Sequence, residues 1–549
     1  MAEHEQVPHA RHSVAVAESI DMSDAQSRKR AIASTLLPGF VGTTLPDALR
    51  SRLEGGLGGV CIFGGNIVST EQLRELDEQI LGANPFAVIA IDEEGGDVTR
   101  LDHAAGSPYP GNAVLGRLDD ESLTAGVGRA VGSALRRVAC TLDFAPDVDV
   151  NSNPDNPVIG VRSFGADASL VGRHGSAWTA GLQSTGIAAC AKHFPGHGDT
   201  ALDSHLALPI IDRSLDELRE RELVPFRAAI AAGTLAIMTS HIVLPQLDPG
   251  VPATFSSRIL QGLLRDELGF DGVIVTDALD MKGASGEIGI PEAAVRALAA
   301  GCDLLCIGSE TSDEVVEAVM IAVDDAIVSG RLSAGRVAEA AERVRTLARD
   351  LVPLRESAPM AQLDAGGSPV PDSSIRAAFD VRQSALSALR AADGDGTTPF
   401  AVVRIETAAN IAVGAAPWGP FAQASAFSGD ADSVAWARHP QFVVSAADAA
   451  GGELTARIEE IRTHVPADRG VVVIGKALHR HAFAREVVDA LRVQRTALAV
   501  DMGWPSDDRA YADVATFGAS RSVGRALIAL LVGDAATDDP DARLPEGPR

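Results

Sequence analysis

A chain of 549 residues exceeds what one hydrophobic core usually serves, so two domains are expected. With 46% hydrophobic and 22% charged residues, its composition is typical of a soluble globular protein. The net charge of −27 argues against a nucleic-acid partner, because such a partner requires a basic face. A neutral sugar or a small metabolite remains open as a ligand.

Two further observations bear on location. The N-terminal segment contains no apolar region of the signal-peptide type, and no stretch has the length and apolarity of a membrane span. We therefore expect a cytoplasmic protein that does not bind a membrane.

The five cysteines lie in apolar runs, and their odd number favours reduced core thiols over a disulfide framework. They are Cys61, Cys140, Cys190, Cys302 and Cys306.

Apolar runs alternate with amphipathic segments over the first part of the chain. Eight runs have the continuous hydrophobicity of parallel strands that are covered on both faces. These predicted strands are 38–42, 59–63, 86–92, 142–147, 187–191, 235–239, 272–277 and 302–307. Strands that alternate with helices predict a (β/α)8 barrel. A doubly wound open sheet is the alternative, because counting strands does not show closure.

The helical segments have recognisable ends. Ser214 and Glu217 predict a capping box for a helix that continues to Ala232. Beyond the barrel, segments 400–405, 470–474 and 496–500 are further buried-strand candidates, so a smaller α/β sandwich domain follows. The expected organisation is a polar extension 1–30, a barrel 31–352, a Pro- and Gly-rich linker 353–374, an α/β domain 375–535 and a disordered tail 536–549.

The densest group of titratable side chains is in the stretch 191–209, directly after the fifth predicted strand. It contains Lys192, His193, His197, Asp199, Asp203 and His205. Holding titratable groups beside a buried strand costs solvation free energy, so such a cluster indicates a functional role. Side chains at i and i+2 of an extended segment point the same way, so Asp203 can hold the His205 imidazole as a proton donor and acceptor. A polar surface loop and a zinc site are the alternatives, although the spacing matches no usual zinc signature.

Other apolar runs also end in polar groups, as expected where the strand ends of a barrel meet at one active site. Asp277 directly follows an apolar strand, which suits a nucleophile or a stabiliser of a cationic transition state, with a helix N-cap as the alternative. Asp92 and Asp149 follow two other predicted strands. Asp149 can instead cap a turn, and His241 can equally be a core residue or a ligand contact.

Taken together, these motifs resemble glycoside hydrolase family 3, specifically its β-N-acetylglucosaminidase branch, the NagZ-like enzymes. Their order and spacing cover essentially the whole first domain. The second domain resembles the C-terminal α/β sandwich of that family with weaker signals. The matching segments are 92–96 with Arg100, 158–165, 192–198, 203–205 and 275–279.

The resemblance implies a retaining mechanism without a cofactor or metal. Asp277 would attack the anomeric carbon and form a covalent glycosyl-aspartate. His205, oriented by Asp203, would protonate the leaving oxygen and later activate the acceptor. The family pattern places five further side chains around a terminal N-acetylglucosamine: Asp92, Arg100, Arg162, Lys192 and His193.

The chain departs from the family pattern at one position. Asp97 stands where the family commonly has Arg, which changes the local ion pairing. Because an imidazole does not repel an incoming anion as a carboxylate would, an N-acetylglucosaminide phosphorylase is an alternative activity. A β-glucosidase and a non-catalytic sugar-binding protein are two more, but intact Asp277, Asp203 and His205 favour an enzyme. Muropeptide fragments, chitooligosaccharides and other β-linked conjugates all present the same terminal sugar and are the candidate substrates.

Overall fold

The computed structural model describes residues 20–200, 208–358, 368–392, 400–407, 412–422 and 431–532. The first half of the chain forms a parallel barrel of short, fully buried strands. These strands are β1 (Leu36–Pro38), β2 (Gly59–Ile62), β3 (Val88–Ile91), β4 (Leu142–Asp143), β5 (Ala188–Phe194), β6 (Ala236–Thr239), β7 (Val273–Val275) and β8 (Leu305–Gly308).

The eight strands close on themselves, so the barrel prediction is confirmed over the open sheet. Strands β2 to β7 pair in sequence order, and β1 pairs with β8. A parallel bridge between Val275 and Leu304 joins β7 to the start of β8. At the remaining seam the Gly58 amide donates to the Ala33 carbonyl over 2.9 Å, which links the segments that lead into β2 and β1.

Helices cover the outside of the barrel because their apolar faces need the strands to bury them. They are α1 (Ala25–Ala33), α2 (Asp47–Glu54), α3 (Thr70–Ala83), α4 (Asn112–Leu118), α5 (Glu121–Arg137), α6 (Ala168–Gln183), α7 (Leu215–Glu220), α8 (Leu223–Ala231), a π-type helix (Arg258–Glu267), α9 (Lys282–Ser285), α10 (Gly289–Ala300), α11 (Asp313–Val328) and α12 (Ala334–Ser357). Within the described residues, no helix is both long and apolar enough to cross a bilayer.

Several predicted boundaries differ from the elements of the structure. The capping box of Ser214 and Glu217 is present, but the helix that it starts ends at Glu220, and α8 follows as a separate helix. Helix α1 starts at Ala25, behind an Asp24 cap and inside the predicted polar extension 1–30. Helix α12 continues through Pro353 to Ser357, into the predicted linker; residues 1–19, 359–367 and the predicted tail lie outside the described residues.

The second domain is a six-stranded sheet with helices on both faces. Its strands are β9 (Asp380–Val381), β10 (Ala401–Glu406), β11 (Gln441–Ser445), β12 (Val471–Gly475), β13 (Ala497–Asp501) and β14 (Val514–Ala515), in the order β11-β10-β12-β13-β14-β9, with β9 antiparallel. Its helices are α13 (Asp372–Ala377), α14 (Gln383–Ala392), α15 (Ala431–Trp436), α16 (Ala446–Ala450), α17 (Leu454–His464), α18 (Ala482–Arg492) and α19 (Arg521–Val532).

Alternate residues along β12 point to opposite faces of the sheet. Val471 and Val473 pack with α17 and α18, whereas Val472 and Ile474 belong to the cluster that holds apolar residues of α14 and α19. The predicted α/β sandwich is therefore present.

Candidate active site

A cavity of about 710 Å³ opens at the carboxyl ends of the barrel strands. This is where loops of a (β/α)8 barrel build active sites, and the volume is in the range of roughly 300–1,000 Å³ that accommodates small ligands. Six of the eight predicted site residues line it: Asp92, Arg100, Arg162, Lys192, His193 and Asp277. The other two, Asp203 and His205, lie outside the described residues.

Lys192 and His193 both reach the cavity from β5, which extends past the predicted end at Ala191 to Phe194. Neighbouring residues of a regular strand point to opposite faces. Here the pairing of β5 with β6 shifts register between Ala191 and Phe194, and such an irregularity re-aims side chains. The polar pair is therefore part of the strand and not of the loop after it.

Lys192 and Arg162 are joined through one buried carboxylate, Glu94. The Lys192 Nζ atom lies 2.7 Å from both Asp92 Oδ1 and Glu94 Oε1. Arg162 donates from Nε and Nη2 to the two oxygens of Glu94, over 2.9 and 2.7 Å. Burial acts to raise the pKa of Glu94, but the two cations hold it well below its usual range. The network is thus ionised and charge-balanced in the interior.

His193 is held by a carboxylate on the neighbouring strand end. Its Nδ1 lies 2.7 Å from Asp149 Oδ2, and the same carboxylate accepts the His197 amide over 2.6 Å. Burial, reinforced by the charge of Arg162, lowers the pKa of His193 to about 4. His193 is therefore neutral near pH 7. Its other ring nitrogen, Nε2, lies 3.5 Å from Arg162 Nη2, and the residue lines the cavity.

Asp147, Asp149 and His193 bring ligand-type atoms within 4.8 Å of one another, which is the spacing of a metal site. Burial, together with neighbouring Asp149, raises the pKa of Asp147 to about 7. Arg162 already places a positive charge here, with Nη2 3.5 Å from Asp147 Oδ2. His193 and Asp149 are bonded to each other, and Asp147 Oδ1 accepts the Asp149 amide, whereas Asp147 Oδ2 has no hydrogen-bond partner among the described residues and lies beside this guanidinium. The positive charge next to the cluster is therefore the Arg162 side chain.

Asp277 follows β7 across one residue and lines the cavity in a half-buried position. Its Oδ1 accepts the Ala278 amide over 2.8 Å. His241 does not line the cavity; it lies in the core with Nε2 3.1 Å from the Ala278 carbonyl and Nδ1 3.0 Å from Thr254 Oγ1. Of the two readings of His241, the core residue is the one that the structure supports, and it steadies the loop that carries Asp277.

The second domain reaches the cavity as well. Its segment 412–416 forms part of the lining, with side chains no larger than valine. Arg100 donates from Nη2 to the Ala412 carbonyl over 2.9 Å and from Nη1 to the Val413 carbonyl over 3.4 Å. The same Nη2 atom lies 3.7 Å from Asp92 Oδ2. Arg100 thus binds the second domain across the edge of the cavity.

Sequence reasoning did not identify the roles of Glu94, Asp149 or segment 412–416. Glu94 and Asp149 follow buried strands, which is the signal that could have marked them. Their partners are 44 to 98 residues away in sequence, from Asp149–His193 to Glu94–Lys192, so the pairing itself was not readable. Segment 412–416 carries no charged or aromatic residue and gave no signal.

Residues 47–347 match the glycosyl hydrolase family 3 N-terminal domain. A β-hexosaminidase A from Pseudoalteromonas piscicida is 35% identical over 333 residues, which is 56% of this chain and 55% of that protein, so the match spans about half the relative's length. A β-hexosaminidase from Thiobacillus denitrificans is 39% identical over 292 residues, covering 51% of this chain and 80% of that protein.

A solved structure extends the similarity to the second domain. A family 3 β-N-acetylglucosaminidase from Paenibacillus sp. superposes with a TM-score of 0.76 at 30% identity, covering 92% of this chain and 96% of that one. The family match spans more than half of the chain and contains the cavity residues of the barrel. The chain therefore belongs to glycosyl hydrolase family 3, on its NagZ-like branch, and is a glycoside hydrolase.

Proposed function

We propose that the protein is a retaining β-N-acetylglucosaminidase, an exo-acting β-N-acetylhexosaminidase that removes terminal β-linked N-acetylglucosamine. The observation that carries the proposal is the shared cavity: half-buried Asp277 lines it together with the interlocked side chains Asp92, Arg162, Lys192 and His193. Hydroxyls and an acetamide are bound by dense hydrogen bonding from such charged groups. The names of the β-hexosaminidase and β-N-acetylglucosaminidase relatives support the same activity.

In the proposed reaction Asp277 attacks the anomeric carbon, the glycosidic bond breaks, and a covalent glycosyl-aspartate forms. His205, held by Asp203, gives its proton to the leaving oxygen. In the second half His205 takes a proton from water, which attacks the anomeric carbon and releases Asp277. Lys192 and Arg162 remain charged throughout, because Glu94 and Asp92 balance them.

The first test is a panel of aryl β-glycosides with wild-type enzyme and with Asp277→Asn. We expect turnover of the N-acetylglucosaminide in preference to the glucoside, and a loss of roughly 10⁴–10⁶-fold in kcat for the variant. Each assay is run with and without inorganic phosphate. Release of N-acetylglucosamine 1-phosphate would make the enzyme a phosphorylase, preference for the glucoside would make it a β-glucosidase, and near wild-type rates in Asp277→Asn would remove the nucleophile assignment.

The acid role of His205 is tested by comparing leaving groups. His205→Ala should reduce turnover of a poor leaving group, such as a second sugar, by roughly 10²–10⁴-fold, and should affect an activated nitrophenyl leaving group much less. The reason is that only the poor leaving group needs a proton in the transition state. An equal loss on both substrates would contradict the assignment.

A further inference from the structure

The loop 92–100, which carries two of the predicted sugar-binding residues, is attached to the second domain at two points. Arg100 at its end binds the carbonyls of Ala412 and Val413. Asp97 in its middle accepts the Ala519 amide through Oδ1 over 2.7 Å, and its Oδ2 lies 3.1 Å from Lys476 Nζ. The Asp97 side chain is 5% exposed, so this carboxylate is buried between the domains.

Lys476 connects Asp97 to the part of the second domain that lines the cavity. Its Nζ lies 5.3 Å from the centre of the Trp418 ring, a distance at which a cation is attracted to an aromatic face. Trp418 comes two residues after the lining segment 412–416. The next residue, Gly419, donates its amide to the Ala519 carbonyl over 2.6 Å. Asp97, Lys476, Ala519 and Trp418 thus form one contact network beneath the lining segment.

The path of loop 92–100 is set by its own turn. Gly95 and Gly96 have φ values of +73° and +70°, a conformation that other residues rarely adopt. A Cβ atom on Gly96 would lie 2.5 Å from the Gly111 Cα, so the turn is packed against the barrel. This packed turn connects Asp97 to Asp92, whose Oδ1 accepts a hydrogen bond from Lys192 in the cavity.

We propose that Asp97 is a positioning residue that makes the second domain a component of the sugar pocket. By binding Lys476 and the Ala519 amide, it holds segment 412–416 and the Asp92 carboxylate in a fixed relation. Asp97 itself is not part of the cavity lining. An arginine at this position would face the Lys476 ammonium and could not form this contact. The inference rests on the proposed function only for the choice of substrate.

The test compares Asp97→Ala, Lys476→Met and the double variant on an aryl β-N-acetylglucosaminide. Because small displacements of binding groups cost up to about 100-fold, we expect each single variant to raise KM by roughly 5- to 50-fold, with kcat within about 3-fold of wild type. The double variant should be no worse than the worse single variant, since both remove the same contact. Asp97→Asn, which keeps an acceptor for Ala519, should restore part of the loss.

Arg117→Met is the matched control. Arg117 also joins the domains, with Nε donating to the Ala378 carbonyl over 2.6 Å and its guanidinium 4.0 Å from the Phe517 ring centre. Both of these partners lie outside loop 92–100 and segment 412–416. The KM of this variant should stay within about 2-fold of wild type, because general weakening of the domain contact does not move the pocket. An equal rise of KM in Arg117→Met and Asp97→Ala would overturn the positioning role.

A second readout does not depend on activity. Amide hydrogen exchange in peptides covering 92–100 and 412–422 should be faster in Asp97→Ala and Lys476→Met than in wild type, and unchanged in Arg117→Met. If wild type hydrolyses none of the aryl glycosides, the proposed function fails while this measurement still decides the coupling. Unchanged exchange in both segments would overturn the inference whatever the activity.

Discussion

The two sides of the cavity hold their charged groups in different ways. At the carboxyl ends of strands β3 to β5, Glu94, Arg162, Lys192 and His193 are buried and bonded to one another. After β7, Asp277 is half-buried, and its carboxylate accepts the amide of the next residue. In the proposed function, the groups that bind the sugar are locked in place by ion pairs, whereas Asp277, the proposed nucleophile, lines the cavity in a half-buried position.

The largest expected effect on stability is at Glu94, in the buried ion-pair network on the locked side of the cavity. Glu94→Gln removes the charge shared by Arg162 and Lys192 and leaves two buried cations short of a partner. We expect a loss of about 3–5 kcal/mol in the free energy of unfolding, measured by denaturant titration.

Glu78→Gln is the control for the same chemical change. Glu78 pairs with Arg74 on an exposed helix face, and the side chains are 55% and 49% exposed. Its substitution should cost less than about 0.5 kcal/mol. Similar losses in the two variants would contradict the view that Glu94 is the centre of a buried network.

The next prediction concerns the pH dependence of stability, to which the buried Glu93 contributes. Its carboxylate accepts the amides of Arg100 and Leu101 over 2.8 and 2.9 Å, and burial, helped by nearby Asp102, raises its pKa to about 7. An unfolded glutamate has a pKa of about 4.3. Between these values the folded state binds more protons than the unfolded state, so this group's contribution to stability is complete below about pH 4.3 and falls as pH rises toward 7.

Glu93→Gln should remove this contribution to the pH dependence. The wild type should lose roughly 3 kcal/mol more than the variant between pH 4.5 and pH 7.5, because one pKa unit corresponds to about 1.36 kcal/mol. Unfolding titrations of both proteins at several pH values measure the difference, in which contributions from other buried acids cancel. Parallel curves would mean that Glu93 is ionised throughout this range.

The smallest expected effect is on the stability of Asp277→Asn. The substitution is nearly isosteric, the position is half-buried, and an amide oxygen can still accept the Ala278 amide. We expect a change within about 1 kcal/mol in the free energy of unfolding, although turnover is lost. A larger loss of stability would show that Asp277 belongs to the locked part of the site, and the contrast between the two sides would not hold.

Much of the barrel was predictable because each strand is an apolar run and parallel barrel strands are buried on both faces. The end of β5 was not, because Lys192 and His193 look like loop residues until their buried partners are known. In the second domain, β9 and β14 have two residues each, and the edge strand β11 has one fully buried residue, Val444. Strands that are very short or only partly buried carry little hydrophobic signal.

Within the site, residue types were predictable and partners were not. Asp92, Arg162 and Lys192 were identified by motif, and the structure brings all three to the cavity. Asp97 was also singled out in the sequence. Its partners, Lys476 and Ala519, are 379 and 422 residues away, and no local pattern connects positions at that separation. The local sequence does not encode which distant backbone group or charged side chain will pair with a buried polar group.

The burial of all five cysteines has a practical consequence for spectroscopy. A thiol-reactive dye should leave the native cysteines untouched, because it needs an accessible thiolate and burial raises the pKa of Cys61, Cys140, Cys190 and Cys302. Cysteines introduced at Val68 on the barrel and Val493 on the second domain, which are 74% and 82% exposed, would then be the labelled pair. Energy transfer between two dyes there would report inter-domain distances during turnover without removal of any native cysteine.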